Sequence, residues 1–391
     1  FVTLITAFAN LFGLGGAPLC AMARGKGNRE GAQGIMVNAG FMLLLSGAVL
    51  TVLGIAFHRP LLYLFGASEV TYPYASSYIV IYLIGTLCVM LSLGLNPYIN
   101  CQGFARTGML TVALGAAANI VLDPIFIFAL HLGVRGAAIA TVLSQFLSAA
   151  WVVKFLTGKK AELKLDFRGF RPDCQCIQRI TVLGIASFVM SFTDTLVQVA
   201  CNATLRNFGG DLYISVMTVL NSVRQIAQTP VLAIADGAST AISYNYGAGL
   251  YKRTRDAIRF MTQIAIGYTM LVWMLVSLFP ALFIRIFNQD AELVAAAVPA
   301  LHIYFFGFVM MAFQYAGQST FRALGRAKYA VFFSLLRKAF IVVPLTLLLP
   351  YCWNLGVSGV FAAEPVSNCI GGLACYFTMR HVVMPELKME N

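Results

Sequence analysis

Apolar residues dominate this chain in long unbroken runs separated by short polar segments. Runs of about 20 residues or more cover roughly 1–23, 33–57, 73–95, 107–130, 135–156, 178–204, 212–243, 257–283, 293–318, 328–350 and 357–379. Each is long enough to cross a bilayer as a helix, so the pattern predicts an all-α, polytopic membrane protein with about 11 transmembrane helices. Phe57-His58-Arg59-Pro60 and Phe279-Pro280 are expected to close matching helices, followed by short interfacial segments over Leu61 to Phe65 and Ala281 to Phe287. Prolines inside spans (Pro18, Pro124, Pro230, Pro299, Pro344, Pro365) predict kinks, tolerated where neighbouring helices satisfy the freed carbonyls.

The pattern also repeats. Leu132-Gly133-Val134-Arg135-Gly136, with Ala140 and Ser144, recurs as Leu355-Gly356-Val357-Ser358-Gly359 with Ala363 and Ser367. Gly25-Lys26-Gly27 lines up with Gly247-Ala248-Gly249, and Leu64-Phe65 with Ile286-Phe287, both at a separation of 222 residues; Arg106 and Arg326, and Pro124 and Pro344, lie 220 apart. Five anchors in one order at nearly one offset predict two pseudo-symmetric six-helix lobes, a hallmark of secondary transporters. At this offset Phe1 falls opposite Val223, so the first lobe is expected to be truncated, without its first helix. The expected boundaries are an N-terminal lobe at 1–157, a charged cytoplasmic linker at 158–175 and a C-terminal lobe at 176–391. Equivalent helices share one sense across the membrane, so the relating two-fold is expected along the membrane normal, with a cleft between the lobes.

Composition agrees. The chain has 391 residues, 59% hydrophobic and 11% charged, with a mean hydropathy of +0.80; soluble domains carry about 25% charged residues. The formal net charge of +12 invites a nucleic-acid reading, but its distribution argues against one. Taking loops alternately, one side collects 20 Lys and Arg and the other holds only Arg59, Arg135, Arg206 and Arg285. That asymmetry predicts cytoplasmic basic loops, a cytoplasmic C-terminus and a multi-pass location in the plasma (inner) membrane. Of the nine cysteines, Cys20, Cys88, Cys201, Cys369 and Cys375 fall in apolar runs and read as small hydrophobes. Cys174-Gln175-Cys176 lies on the side expected to be reducing and lacks further ligands nearby, so no metal site is assigned. With no phosphate-binding loop, zinc-protease motif or nucleophile–base arrangement, no enzymatic or ATP-driven activity is assigned, and no catalytic residue is named.

Charge inside a span costs roughly 2.5–3.5 kcal/mol on insertion scales, so the four intramembrane carboxylates need reasons. Asp194 sits on a polar stripe with Ser187, Ser191, Gln198 and Asn202, spaced to share one helix face. It reads either as a cation or proton site or as part of an interhelical hydrogen-bond network. A second stripe runs through Asn221, Gln225, Gln228, Asp236, Ser239 and Ser243, interrupted at Pro230. Arg224, close to this face, is a possible partner for Asp194 or Asp236. Asp123, one turn after Asn119 and next to Pro124, is expected to accept either from backbone donors near the kink or from Arg337. Glu364, with Asn368 one turn on, replaces Thr141 of the first copy, which suggests a role specific to one lobe. Arg337 and Lys338 form a basic pair about ten residues into a span; Arg337 is expected to have an acidic partner and Lys338 to snorkel. Gln314 and Gln318, flanking Tyr315, are expected to continue the polar lining, with Tyr304, Phe305, Phe306 and Phe313 available for cation–π contact with a lipophilic cation.

The run Asn119-Ile120-Val121-Leu122-Asp123-Pro124-Ile125-Phe126-Ile127-Phe128, followed by Leu132-Gly133-Val134-Arg135-Gly136-Ala137-Ala138-Ile139-Ala140-Thr141, resembles the fifth and sixth helices of the multidrug and toxic compound extrusion (MATE) family. Asn245-Tyr246-Gly247-Ala248-Gly249, and Asn96-Pro97 through Gln102-Gly103, are similar to its bacterial branch. The resemblance covers essentially the whole chain. It implies twelve helices in two lobes, of which this chain lacks the first helix and the outer part of the second. It also implies alternating-access export of cationic, lipophilic small molecules in exchange for H⁺ or Na⁺ by a monomer in the bilayer, with no cofactor. Asp194 matches a position where family members often place an acidic residue in the seventh helix, whereas Met311 occupies the tenth-helix acidic position of some members. Two other readings stay open: a flippase of lipid-linked oligosaccharides, for which Arg224 and Arg337 speak, and a non-transporting membrane receptor or scaffold.

Overall fold

In a computed structural model, residues 2–64, 69, 71–352 and 355–389 are described. Phe65, part of one repeat anchor and of an expected interfacial segment, lies outside them. Apolar runs too long for strands fold as helices: α1 (Val2–Gly25), α2 (Arg29–Leu64), α3 (Tyr72–Ile84), α4 (Thr86–Cys101), α5 (Ala105–Pro124), α6 (Gly133–Thr157), α7 (Cys174–Phe208) and α8 (Gly210–Gly247). They continue with α9 (Tyr251–Leu278), α10 (Pro280–Arg285), α11 (Ala291–Phe305), α12 (Met310–Ala323), α13 (Ala327–Leu335), α14 (Val343–Leu348) and α15 (Val357–Met389). Short π-helical segments at Ile125–Ala129 and Leu336–Val342 follow α5 and join α13 to α14.

Among the described residues, seven helices are long and apolar enough to cross a membrane, or nine if α3–α4 and α11–α12 each count as one bent span. The remaining two expected spans are helical as α8 and α15 but fall outside that set. Both carry the polar side chains that make up the candidate site, which lowers their mean apolarity. A second difference is at Pro60. There α2 runs through the proline to Leu64 instead of closing before it. Proline removes a single N–H, the one that would bond the Ala56 carbonyl, so the helix gives up one bond there and continues. The matching break after α9 does form, with Pro280 opening the short α10.

The chain forms two compact units, Phe1–Phe188 and Val189–Asn391, whose border falls inside α7. The repeat is written into their backbones. Gly27 and Gly249 (φ +75° and +70°), Gly103 and Gly325 (+87° and +74°), and Gly133 and Gly356 (+53° and +52°) are left-handed at offsets of 222, 222 and 223 residues. Each pair stands at a helix boundary, where an αL residue redirects the chain and a Cβ would be strained. The Gly103–Gly325 pair keeps the offset at 222, so Arg106 aligns with Lys328 instead of Arg326. The bends also match. The axis turns by 54° between α3 and α4 and by 50° between α11 and α12. Gly85 and Gly307, 222 apart, mark these turns, and a Cβ on Gly85 would meet Val142 at 2.5 Å as one on Gly307 would meet Pro365 at 2.7 Å.

Within the first unit, α1 lies between α4 and the start of α7. A Cβ on Gly13 would stand 2.8 Å from the Gly94 carbonyl, and one on Gly15 would stand 2.7 Å from the Gly184 Cα. Small residues let these backbones touch, the usual route to tight packing where lipid removes the hydrophobic drive between helices. Tyr98 donates to the Phe12 carbonyl at 2.8 Å across the same interface. The segment after α6 is stitched to this unit: Leu163 N–H donates to Gln102 at 2.9 Å, Asp173 N–H to Asn38 at 3.0 Å, and Glu162 pairs with Arg24. In the second unit, Gly372 on α15 sits against the Met310 carbonyl and Gly317 on α12 against Cys375, which brings α12 and α15 together.

Candidate functional site

The charged side chains that the sequence scatters over four spans meet in the second unit. Arg337 and Lys338 lie on the π-helical segment between α13 and α14, in the middle of the span Ala327–Leu348. Adjacent residues on a helix point about 100° apart, so the two take different neighbours. Lys338 reaches α7, where its ammonium pairs with Asp194 and donates to the Met190 carbonyl at 3.3 Å. The lysine side chain is 5% exposed and the aspartate 46%, so the pair has a closed end and an open one.

Arg337 reaches α15. There Glu364, Asn368 and Gly371 follow one helix face at spacings of four and three. The Arg337 guanidinium donates to Glu364 Oε1 at 3.2 Å and to the Asn368 amide oxygen. A Cβ on Gly371 would come within 2.8 Å of the Arg337 stem, so the glycine makes room for it. The same Glu364 Oε1 also accepts from Arg224 on α8 at 2.8 Å. One carboxylate thus serves two guanidiniums, and Glu364, Arg337 and Asn368 are all buried.

Arg224 is held on its other side by an aromatic ring. Its guanidinium lies 5.7 Å from the centre of the Tyr304 ring, and the Tyr304 hydroxyl donates to Asn221 at 3.0 Å. The ring expected to receive a cationic ligand already faces a cation of the protein itself. In all, three basic side chains (Arg224, Arg337, Lys338) and two carboxylates (Asp194, Glu364) form one cluster with a formal charge of +1. Buried charges are tolerated in this way, paired and hydrogen-bonded.

Three expected pairings are corrected. Arg224 takes Glu364, neither Asp194 nor Asp236. Lys338 is buried and paired rather than snorkelling, because Asp194 lies within reach of its ammonium. Asp123 is met by Asn119 on its own helix at 3.3 Å, while Arg337 is engaged by Glu364 and Asn368. Asp236 pairs with Arg322 of α12 at 3.0 Å, apart from the cluster. Nearby, Ser243 donates to the Ala323 carbonyl and Ser319 to the Ala235 carbonyl, both at 2.7 Å, so this half of the second stripe binds α8 to α12. Gln314 and Gln318 are buried at 1% and 2% exposure and donate to the Phe333 and Ala330 carbonyls, which fastens α12 to α13. Gln198, Asn202 and Gln225 are exposed side chains outside the paired cluster. Phe305 and Met311 are packed in the core. Sequence reasoning did not select Lys338 as a site residue; a lysine at mid-span is itself the signal, since its charge calls for a partner such as a carboxylate on another helix.

A family model described as MatE matches residues 1–125 and 186–348. The chain belongs to the MatE family. Its curated relatives in sequence include the multidrug export protein MepA of Staphylococcus haemolyticus, 23% identical over 375 residues, which cover 96% of this chain and 82% of that protein. Another is an FAD transporter of Shewanella oneidensis, 24% identical over 371 residues, 92% of this chain and 80% of the relative. Among solved structures, an outward-facing multidrug resistance MATE family transporter of the MOP superfamily superposes with a TM-score of 0.94 at 22% identity, over 99% of this chain and 86% of that one. MatE membership and the helical fold agree with a multi-pass membrane protein.

Proposed function

We propose that this MatE chain is a secondary antiporter that exports organic cations, drugs among them, in exchange for H⁺ or Na⁺ by alternating access. Its boundaries on this reading are an N-terminal lobe at 1–157, a linker at 158–175 and a C-terminal lobe at 176–391. One observation carries the reading: Asp194, a carboxylate within a span, is half exposed and has a tethered ammonium as counter-ion. Such a carboxylate is a cation site that the protein keeps filled when nothing else is bound. The multidrug export relative adds support from family kinship. Gln198 and Asn202, one and two turns along the same helix, offer neutral acceptors beside it. No cofactor and no bond-making step are required. The loop charges support a plasma (inner) membrane location with a cytoplasmic C-terminus, and the transporting unit is taken to be a monomer.

A flippase of lipid-linked sugars would turn Arg224 and Arg337 toward a phosphate; here both are engaged by Glu364, which favours the antiporter. The test is ethidium transport by the purified chain in proteoliposomes under a proton gradient and a sodium gradient applied separately. Ethidium movement driven by either gradient, and abolished in Asp194→Asn, supports the reading. Movement under neither, or full movement in a well-folded Asp194→Asn variant, rejects it.

A further inference from the structure

The charged groups around Lys338 leave it one way to part from Asp194. Its own segment carries Arg337, α8 contributes Arg224, α7 contributes Asp194, and α15 contributes Glu364, which both guanidiniums already occupy. Of the helices on either side in sequence, α14 bears no ionisable group, and the basic Lys328 of α13 lies ten residues away in sequence. If a cation arrives at Asp194, the Lys338 ammonium therefore has no second carboxylate among the described residues around it to move to. It would be left charged, 5% exposed, beside two guanidiniums in the middle of a span. A buried charge that loses its partner gives up its charge, and among the three bases lysine can do so while arginine cannot.

We propose that Lys338 carries the coupling proton: a substrate cation that binds Asp194 displaces the Lys338 ammonium, which releases one H⁺ to water. This rests on the antiporter reading and names the group that does its coupling. The step balances. The ammonium becomes an amine plus H⁺, and the incoming cation replaces the lost charge, so the cluster stays at +1 both empty and loaded. Facing the cytoplasm, cation binding drives the proton off inside. Facing outward, cation release lets the amine take a proton from outside and pair again with Asp194. One cycle exports one monovalent cation and imports one proton, and the empty carrier returns with its ion pair closed. Pairing by Lys338 also makes protonation of Asp194 itself unnecessary.

The test measures protons released as ethidium binds to the purified full chain in weakly buffered detergent solution near neutral pH, followed with a pH dye. The native chain should release about one H⁺ per ethidium bound. Lys338→Gln, with no proton to give at that position, should bind ethidium with release near zero; Lys338→Arg, which keeps its charge, should bind it at least tenfold more weakly. No release from the native chain, or undiminished release from either variant, overturns the proposal. Should a variant fail to fold, absence of release from the native chain still overturns the proposal, and Lys338→Met judged by the same readout separates Lys338 from Asp194 as the source of the proton. The two readings fail separately: ethidium transport driven by sodium without proton release removes Lys338 as the carrier and leaves the antiporter, whereas ethidium transport under no gradient removes both.

Discussion

Lys338, near the centre of one span, forms an ion pair with Asp194 on another, and the lysine end is buried while the aspartate end stays half open. The asymmetry makes the pair a poor structural cement and a good exchange site. The desolvation penalty falls on a group with a releasable proton, and the open face belongs to the group that binds cations.

Removing one partner should therefore hurt more than removing both. Asp194→Ala alone strands a buried ammonium, whereas Asp194→Ala combined with Lys338→Met removes the charge with it. The double variant is expected to recover most of the thermal stability lost by the single one, read by tryptophan fluorescence during melting in detergent. A double variant that melts at or below the single one would show that the two side chains are not energetically coupled.

Glu364 is the opposite case, buried and shared by two guanidiniums. Glu364→Gln leaves both without a counter-charge, a change of about 3–5 kcal/mol for buried networks. The variant is expected to accumulate poorly or to melt far below the native chain, with Glu364→Asp much milder. Thermal melting of the three proteins checks it; equal melting of Glu364→Gln and native protein contradicts the assigned role.

Tyr304 makes two contacts of different kinds. Tyr304→Phe removes the hydroxyl bond to Asn221 and keeps the ring beside Arg224, for an expected loss of about 0.5–1.5 kcal/mol. Tyr304→Leu also removes the ring and should lose about 0.5–2 kcal/mol more. Chemical denaturation in detergent distinguishes the two; identical losses would mean that the ring contact contributes nothing.

The α1–α4 contact predicts a steric failure. Gly13→Val would push a branched side chain into the Gly94 carbonyl. Because the Cβ position is fixed by the backbone whatever the rotamer and the Gly94 oxygen is itself backbone, neither side can yield by changing rotamer. The variant is expected to be degraded in cells or to elute as aggregate in size-exclusion chromatography, while Gly34→Ala, with open space at the same test, behaves as the native chain.

Much of the fold was legible because its signals are periodic and local. Apolar runs long enough to cross a bilayer declare helices wherever they pack, and repeated glycine turns declare a duplicated unit. Gly133 and Gly356 needed no structure to be matched, since only a residue free of Cβ suits such a turn. The candidate site was half legible. Four carboxylates and a basic pair stood out by their cost in lipid, and Glu364, set against Thr141, already marked the second copy as special. The pairing was not readable: the sequence offered Asp194 or Asp236 to Arg224, and its actual partner Glu364, 140 residues away, depends on which helix faces turn toward each other. Gln314 and Gln318 failed as lining residues for a related reason, because a polar side chain inside a span can fasten two helices as readily as it can meet water.

From the amino-acid order alone came the membrane class, the duplicated architecture, the loop-charge asymmetry and the residues too costly to be accidental. These follow from single-helix properties: length, hydropathy, periodicity and backbone freedom. Only the tertiary structure decided that Glu364 joins two guanidiniums, that Tyr304 is occupied by Arg224, and that Asp194 is held by a lysine 144 positions away. Ion pairs between helices act over a few ångströms, and helix rotation and depth set those distances; hydropathy, blind to both, leaves them open.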